Sequence, residues 1–346
     1  MELGTESTQA EPRGKMRARI AFAARLLLGA AILGFVLSRI DRTTLLHQLG
    51  RERPLFFLAA TLLYIAGQSL AAYRWRYLSG MLALYGKFSE FLIYYFVGVF
   101  TNMFVPGLVG GDAARALYLG RRKGHLGRAA ASVVADRTMG LLALIWFAAA
   151  CAALFGRTIL PRAMMVPIIT VGIATMLGFL LMPIVVRVVA LMPARLSKLS
   201  ATLAPYLGRP VALLPALGLS LLLHFSQVVC QYLLALGIGL NVPFWFFLLC
   251  VPTTNFFAAM PITLNGLGIR EGAYIFLFSL AGIGKADAVA LGLLWFSSTI
   301  LSGLLGVAAF MIAKTAPEVA SEENETVEPD PKSTVLTAAP RLNIDG

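Results

Sequence analysis

Eight stretches of this chain, near residues 20–38, 54–73, 88–105, 129–155, 163–186, 211–238, 244–260 and 287–313, are apolar over most or all of their length. A helix needs about 20 such residues to cross a bilayer. Inside hydrocarbon every backbone N–H and C=O has to be satisfied within the protein, and a single apolar run does this only as a helix. The expected fold class is therefore all-α: a polytopic membrane helix bundle of about eight spans. Two further apolar pieces, near 111–119 and 269–281, are too short to cross.

Both short pieces follow a break of the same kind. The first break reads Thr101-Asn102-Met103-Phe104-Val105-Pro106-Gly107-Leu108-Val109-Gly110-Gly111-Asp112-Ala113-Ala114-Arg115. The second runs from Thr254-Asn255 through Pro261 to Asn265-Gly266-Leu267-Gly268-Ile269-Arg270-Glu271. Each has the order Thr-Asn, Pro, glycines, charges. Gly- and Pro-interrupted apolar segments at corresponding places in two halves point to a binding site built from discontinuous helices.

Composition narrows the class further. The 346 residues are 58% hydrophobic and 13% charged, against about 25% charged in soluble domains. Residues 315–346 hold seven acids and two bases, so residues 1–314 carry 27 bases and 10 acids. In loops beside apolar spans such a balance sets orientation and meets anionic lipid, so a nucleic-acid partner is not expected. The organisation read from these shifts is a basic cytoplasmic N-terminus at 1–19, a transmembrane domain at 20–314, and an acidic tail at 315–346 too poor in large apolar residues to fold.

With the N-terminus inside, the inner segments collect seventeen Lys and Arg and the outer loops seven, which makes a multi-pass protein of the plasma (inner) membrane with both termini cytoplasmic. The same bookkeeping places basic residues inside on both flanks of 88–120. That segment is then expected to enter from the cytoplasm, turn at Pro106 to Gly111 and return, while 244–282 does the same from the outer side. Two inverted re-entrant hairpins would meet near the midplane.

Six charges fall in or next to these elements: Asp112, Arg115, Asp136, Arg137, Arg270 and Glu271. Left unpaired at helix centres they would cost on the order of 15–20 kcal/mol together, so they must be paired or hydrated. Asp112 after two glycines suits a helix N-cap, with Arg115 on the same face one turn later. A half-helix beginning there aims its N–H groups and positive dipole end at the cavity, where a lipid phosphate is the natural ligand. His224, Gln227 and Gln231 form one polar stripe, read first as interhelical hydrogen bonding and second as cavity lining. Trp75, Tyr77, Tyr94 and Tyr95 read as interface anchors, Glu90 as a solvated interfacial acid, and Arg74 and Arg76 as loop charges.

No cofactor is expected. Cys151, Cys230 and Cys250 lack metal or redox spacing, the three histidines are scattered, and neither a phosphate loop nor a dinucleotide fingerprint is present.

Taken together, Asn102, Pro106, Gly110, Gly111, Asp112 and Arg115, the pair Asp136-Arg137, and Pro261, Asn265-Gly266-Leu267-Gly268 and Arg270-Glu271 resemble the lysylphosphatidylglycerol synthase transmembrane region, the flippase-like membrane domain of the multiple peptide resistance factor. The resemblance covers roughly residues 20–314. It implies a domain that moves, or assists the movement of, a polar phospho- or isoprenoid lipid between leaflets. In the resistance factor an aminoacyl-transfer domain follows the membrane part, whereas 32 residues follow here, so the expectation is a non-enzyme. The substrate site expected comprises the residues just named other than Leu267, together with Asn255, and the expected partner is a lipid with an anionic headgroup, with an enzyme of the same pathway as a possible second partner. The alternative is a membrane enzyme or accessory subunit acting on a lipid-linked substrate, in glycosylation or aminoacyl-lipid synthesis.

Overall fold

The computed structural model describes residues 49–104, 110–182, 210–259 and 269–315, with a few isolated neighbours. The expected span at 20–38, the acidic tail and the two glycine-proline turns lie outside the described residues. Those described form nine α-helices and no strand: α1 (Pro54–Met81), α2 (Phe88–Phe104), α3 (Gly110–Lys123), α4 (Leu126–Phe155), α5 (Arg162–Leu180), α6 (Leu214–Gly237), α7 (Phe244–Ala258), α8 (Ile269–Leu280) and α9 (Lys285–Thr315). The all-α expectation holds.

Five helical stretches among the described residues are long and apolar enough to cross a membrane: Pro54–Met81, Leu126–Thr158, Arg162–Leu180, Pro210–Gly237 and Lys285–Ala313. The expected spans at 88–105 and 244–260 appear instead as helices of 17 and 15 residues, about 25 and 22 Å long at the helical rise, short of the roughly 30 Å of hydrocarbon. Helix starts follow local chemistry. Pro54 and Pro215 occupy the first helical turns of α1 and α6, where a missing N–H costs nothing.

Two antiparallel helix pairs repeat one geometry. At the open end of α2 and α3, Arg122 and Lys123 reach Glu90 at 2.9 and 3.9 Å, so the start of α2 and the end of α3 are level. Glu90 is thus a closing residue of the pair rather than a solvated acid. In α7 and α8 the corresponding closure is aromatic: Phe246 and Phe247 at the start of α7 meet Phe278 near the end of α8 at 5.2 and 5.9 Å between ring centroids.

Long helices hold these pairs through small residues and short polar contacts, as expected where lipid removes the hydrophobic drive between helices. A Cβ on Gly306 of α9 would lie 2.5 Å from the Phe96 carbonyl of α2, and one on Gly172 of α5 would lie 2.5 Å from the Ala149 Cβ of α4. Thr61 donates to Ser298 at 3.1 Å between α1 and α9. The rest of α5 turns outward: Val166, Ile173, Leu177 and Leu180 are exposed, the pattern of a lipid-facing helix.

Just before α1, Glu52 packs its carboxylate so close to Gly237 that a Cβ there would overlap it, and neither carboxylate oxygen has a hydrogen-bond partner among the described residues. Burial pushes Glu52 from 4.5 up to about 7. The folded chain therefore holds this proton where the unfolded chain has released it. Stability should rise as pH falls through about 7 and level off below 4.5, by on the order of 1 kcal/mol once partial exposure is allowed for. Glu52→Gln should flatten this part of the melting-temperature profile between pH 8 and 5 and raise its alkaline end.

Candidate functional site

The charged centre is built where α1, α3, α4 and α6 converge. Asp136 of α4 is 2% exposed and receives two arginines. Arg74 of α1 donates from Nε to Oδ1 at 2.8 Å, and Arg115 of α3 donates from Nη1 to Oδ2 at 3.2 Å. Arg74 spends a second N–H on Ser220 of α6 at 2.7 Å. One carboxylate thus ties three helices together, and a fourth joins through Ser220.

The cluster opens outward through Asp112. Arg115 donates to its Oδ1 at 2.5 Å, one turn apart on α3, and Arg137 of α4 donates to its Oδ2 at 2.6 Å and its Oδ1 at 3.2 Å. Arg115 also lies over two rings, its guanidinium carbon 4.7 Å from the centroid of Tyr95 and 5.1 Å from that of Trp75, which adds cation–π attraction. Arg74, Asp136 and Arg115 are buried, whereas the Arg137 side chain is 45% exposed. Three guanidiniums face two carboxylates, so the described cluster carries a net charge of +1 and presents it at Arg137.

The broken segment itself supplies the local order. Asn102 of α2 accepts the Gly111 N–H at 2.8 Å, satisfying one of the donors that the start of α3 leaves free. That close approach needs glycine on both sides: a Cβ on Gly111 would sit 2.1 Å from the Gly98 carbonyl, and one on Gly98 would sit 2.9 Å from the Gly111 carbonyl.

Most of the first-half expectations meet here. Asn102, Gly110, Gly111, Asp112, Arg115, Asp136 and Arg137 lie in or beside one cluster. Asp112 differs in role: it is the third residue of α3 rather than its N-cap, and its carboxylate serves two arginines. Asn255 lies elsewhere, donating to Gln227 at 3.2 Å. Arg270 and Glu271 fall in the first turn of α8, with their side chains outside the description, as are Pro106, Pro261, Asn265, Gly266 and Gly268.

Sequence reasoning missed Arg74, Ser220 and the two rings beside Arg115. Arg74 was read as a loop charge because the apolar run fades at residue 73, yet α1 continues to Met81. The overlooked signal is the helical face Ala71, Trp75 and Leu78, all buried, on which Arg74 also lies. Trp75 is a core residue donating to Ser132 at 3.1 Å, Tyr77 donates to the Ala212 carbonyl at 2.7 Å, and Tyr94 is buried. None of the three is a free interface anchor.

A model of the family described as the lysylphosphatidylglycerol synthase TM region matches residues 22–306. The chain belongs to that family. Searches of curated proteins and of solved structures return no match. Every residue of the charged cluster lies inside the region matched to the lysylphosphatidylglycerol synthase TM family; that match and the five apolar helices of spanning length make this a multi-pass membrane protein, consistent with a lipid-related membrane function.

Proposed function

We propose that this protein binds the phosphate of an anionic lipid at the Asp112–Arg115–Arg137 cluster and assists the passage of that headgroup between leaflets of the inner membrane. The single observation that carries the reading is the excess positive charge ending at a half-exposed Arg137 within an apolar bundle. An arginine in that setting is costly unless water or an anion meets it, and its planar fork suits phosphate oxygens. The buried Arg74–Asp136–Arg115 core keeps the geometry fixed, while the more exposed Arg137 is the member that trades its Asp112 contact for the phosphate.

The level ends of α2 and α3 and their lengths support a re-entrant hairpin that enters and leaves on the basic, cytoplasmic side. The matching closure of α7 and α8 supports a second hairpin from the opposite face. Such an arrangement lets a headgroup reach the midplane while its acyl chains remain in lipid. A non-enzyme fits best, because Asp112 and Asp136 each spend both carboxylate oxygens on guanidiniums and neither is placed to take a proton from a substrate.

The test is lipid scrambling in proteoliposomes. Arg137→Gln should slow the movement of an anionic lipid by on the order of tenfold, since a charge-assisted bidentate contact is worth about 1.5–3 kcal/mol, while elution profile and melting temperature stay those of the parent. An unchanged rate overturns the assignment. A parent protein that moves no lipid, yet stimulates a lipid-linked transferase, would replace it with the accessory-subunit reading.

A further inference from the structure

Where α1 ends, the chain folds back toward α2 and leaves an open cleft of about 440 Å³, within the size range of small-molecule sites. Its lining comes from the last turns of α1 and the loop that follows, and includes Tyr73, Arg76, Tyr77, Met81 and Tyr85. Arg76 stands about 200° round the helix from Arg74, so the cleft faces away from the charged cluster.

One wall is aromatic. Tyr73 packs edge-on against Phe88 at 6.1 Å between ring centroids, and Tyr77 donates to the Ala212 carbonyl at 2.7 Å. The Tyr85 ring lies beside Gly80, where an added Cβ would meet it at 3.8 Å. Tyr73 and Tyr85 are nevertheless 47% and 72% exposed. Rings held open at the end of a helix long enough to cross a membrane suit the level where headgroups meet acyl chains.

The other wall is cationic. Arg76 is exposed, and its Nε donates to the Gly86 carbonyl at 3.0 Å. That bond fixes the guanidinium at the cleft, while its two terminal nitrogens have no partner among the described residues. A Cβ on Gly86 would lie 3.7 Å from Lys123 Nζ and 2.7 Å from Glu90 Oε2. Glu90 is itself shared by Arg122 at 2.9 Å and Lys123 at 3.9 Å, and the exposed Lys87 follows Gly86 in the chain. Arg76, Lys87, Arg122 and Lys123 against Glu90 leave a local charge of +3. Rings alone would hold a quaternary ammonium, but this charge repels one. An anion with an apolar body satisfies both walls.

We propose that this cleft is a surface site for an anionic phospholipid, with the phosphate on the fork of Arg76 and the glycerol and upper acyl carbons along Tyr73, Tyr77 and Tyr85. The site does not rest on the translocation reading, because a lipid held there need not cross the membrane.

Photocrosslinking tests it. p-Benzoylphenylalanine in place of the exposed Tyr85 is irradiated in nanodiscs of phosphatidylcholine with a minority of phosphatidylglycerol, and the mass of each adduct names the lipid. Phosphatidylglycerol should be enriched among the adducts over its share of the bilayer on the order of fivefold, or about 1 kcal/mol. Arg76→Gln should return the adducts to the bilayer's composition, and Arg76→Lys, which keeps the charge, should retain most of the enrichment. Arg121→Gln removes an exposed charge of α3 that does not line the cleft, and should change the enrichment by less than about twofold. The proposal is overturned by an absence of lipid adducts or by adducts that follow the bilayer's composition. Equal losses in Arg76→Gln and Arg121→Gln overturn it too, since the general field would then be what is read. So do equal losses in Arg76→Gln and Arg76→Lys, which would make the tie to Gly86 the cause. Displacement of the lipid by inorganic phosphate would assign the cleft to a soluble phosphate instead. Enrichment in a protein that moves no lipid counts against translocation alone, and its absence from an active one against the cleft alone.

Discussion

Asp136→Ala should destabilise the protein by about 3–5 kcal/mol, because it leaves the buried guanidiniums of Arg74 and Arg115 facing each other without a shared anion. The two arginines are 8% and 5% exposed, so water cannot take the place of the carboxylate without opening the bundle. Helices α1, α3 and α4 meet on this one side chain, and the loss should appear as a lower melting temperature in detergent and as heterogeneous elution. Arg137→Gln is the internal contrast: it removes an exposed partner of Asp112 and should leave the melting temperature within a few degrees of the parent. If Asp136→Ala melted within about 2 °C of the parent, the ion cluster would not be holding the helices together.

Gly111→Ala should cost about 1–3 kcal/mol, the usual range for overpacking, and should abolish lipid movement as well. The added carbon would lie 2.1 Å from the Gly98 backbone carbonyl and 2.6 Å from Asn102. The Asn102 atoms belong to a side chain that can swing, but the Gly98 carbonyl is backbone and cannot, so α2 and α3 must separate. Separation breaks the Asn102 cap and carries Asp112 away from Arg137. Gly178→Ala on α5 makes the same change in open space, with nothing within 4 Å, and should be neutral or stabilising by about 0.5–1 kcal/mol through helix propensity. Melting both variants in one detergent checks the pair. A Gly111→Ala protein as stable as Gly178→Ala would show that the hairpin is not tightly packed.

The first broken segment was legible because its residue types leave few choices. Two glycines, an acid and an arginine one turn later cannot sit in an apolar run without partners, and Asp136-Arg137 offers partners of the right sign. The pairing pattern was not legible. Asp112 looked like a cap because it follows glycines, but a carboxylate with two arginines in reach gains more from them than from a backbone N–H. Arg74 was hidden by the habit of ending a span at its first charge, and Trp75 and Tyr95 by the resemblance of a ring beside a charge to an interface belt. Which rings enclose which guanidinium depends on helix rotation, a quantity that one chain's periodicity does not specify when most faces are apolar.

Hydropathy and charge placement alone settled that this is an all-α membrane protein, and they singled out Asp112, Arg115, Asp136 and Arg137 as charges that need partners, which the described residues supply. Those outcomes follow from the price of bare polar groups in hydrocarbon, which acts on any chain regardless of packing. The tertiary structure decided the rest: that α1 runs on far enough to deliver Arg74, that Asp136 rather than Asp112 is the hub, that the net charge surfaces at Arg137, and that Asn255 pairs with Gln227 away from the charged cluster. These follow from how helices rotate and where their backbones can touch, and only the assembled bundle contains that information.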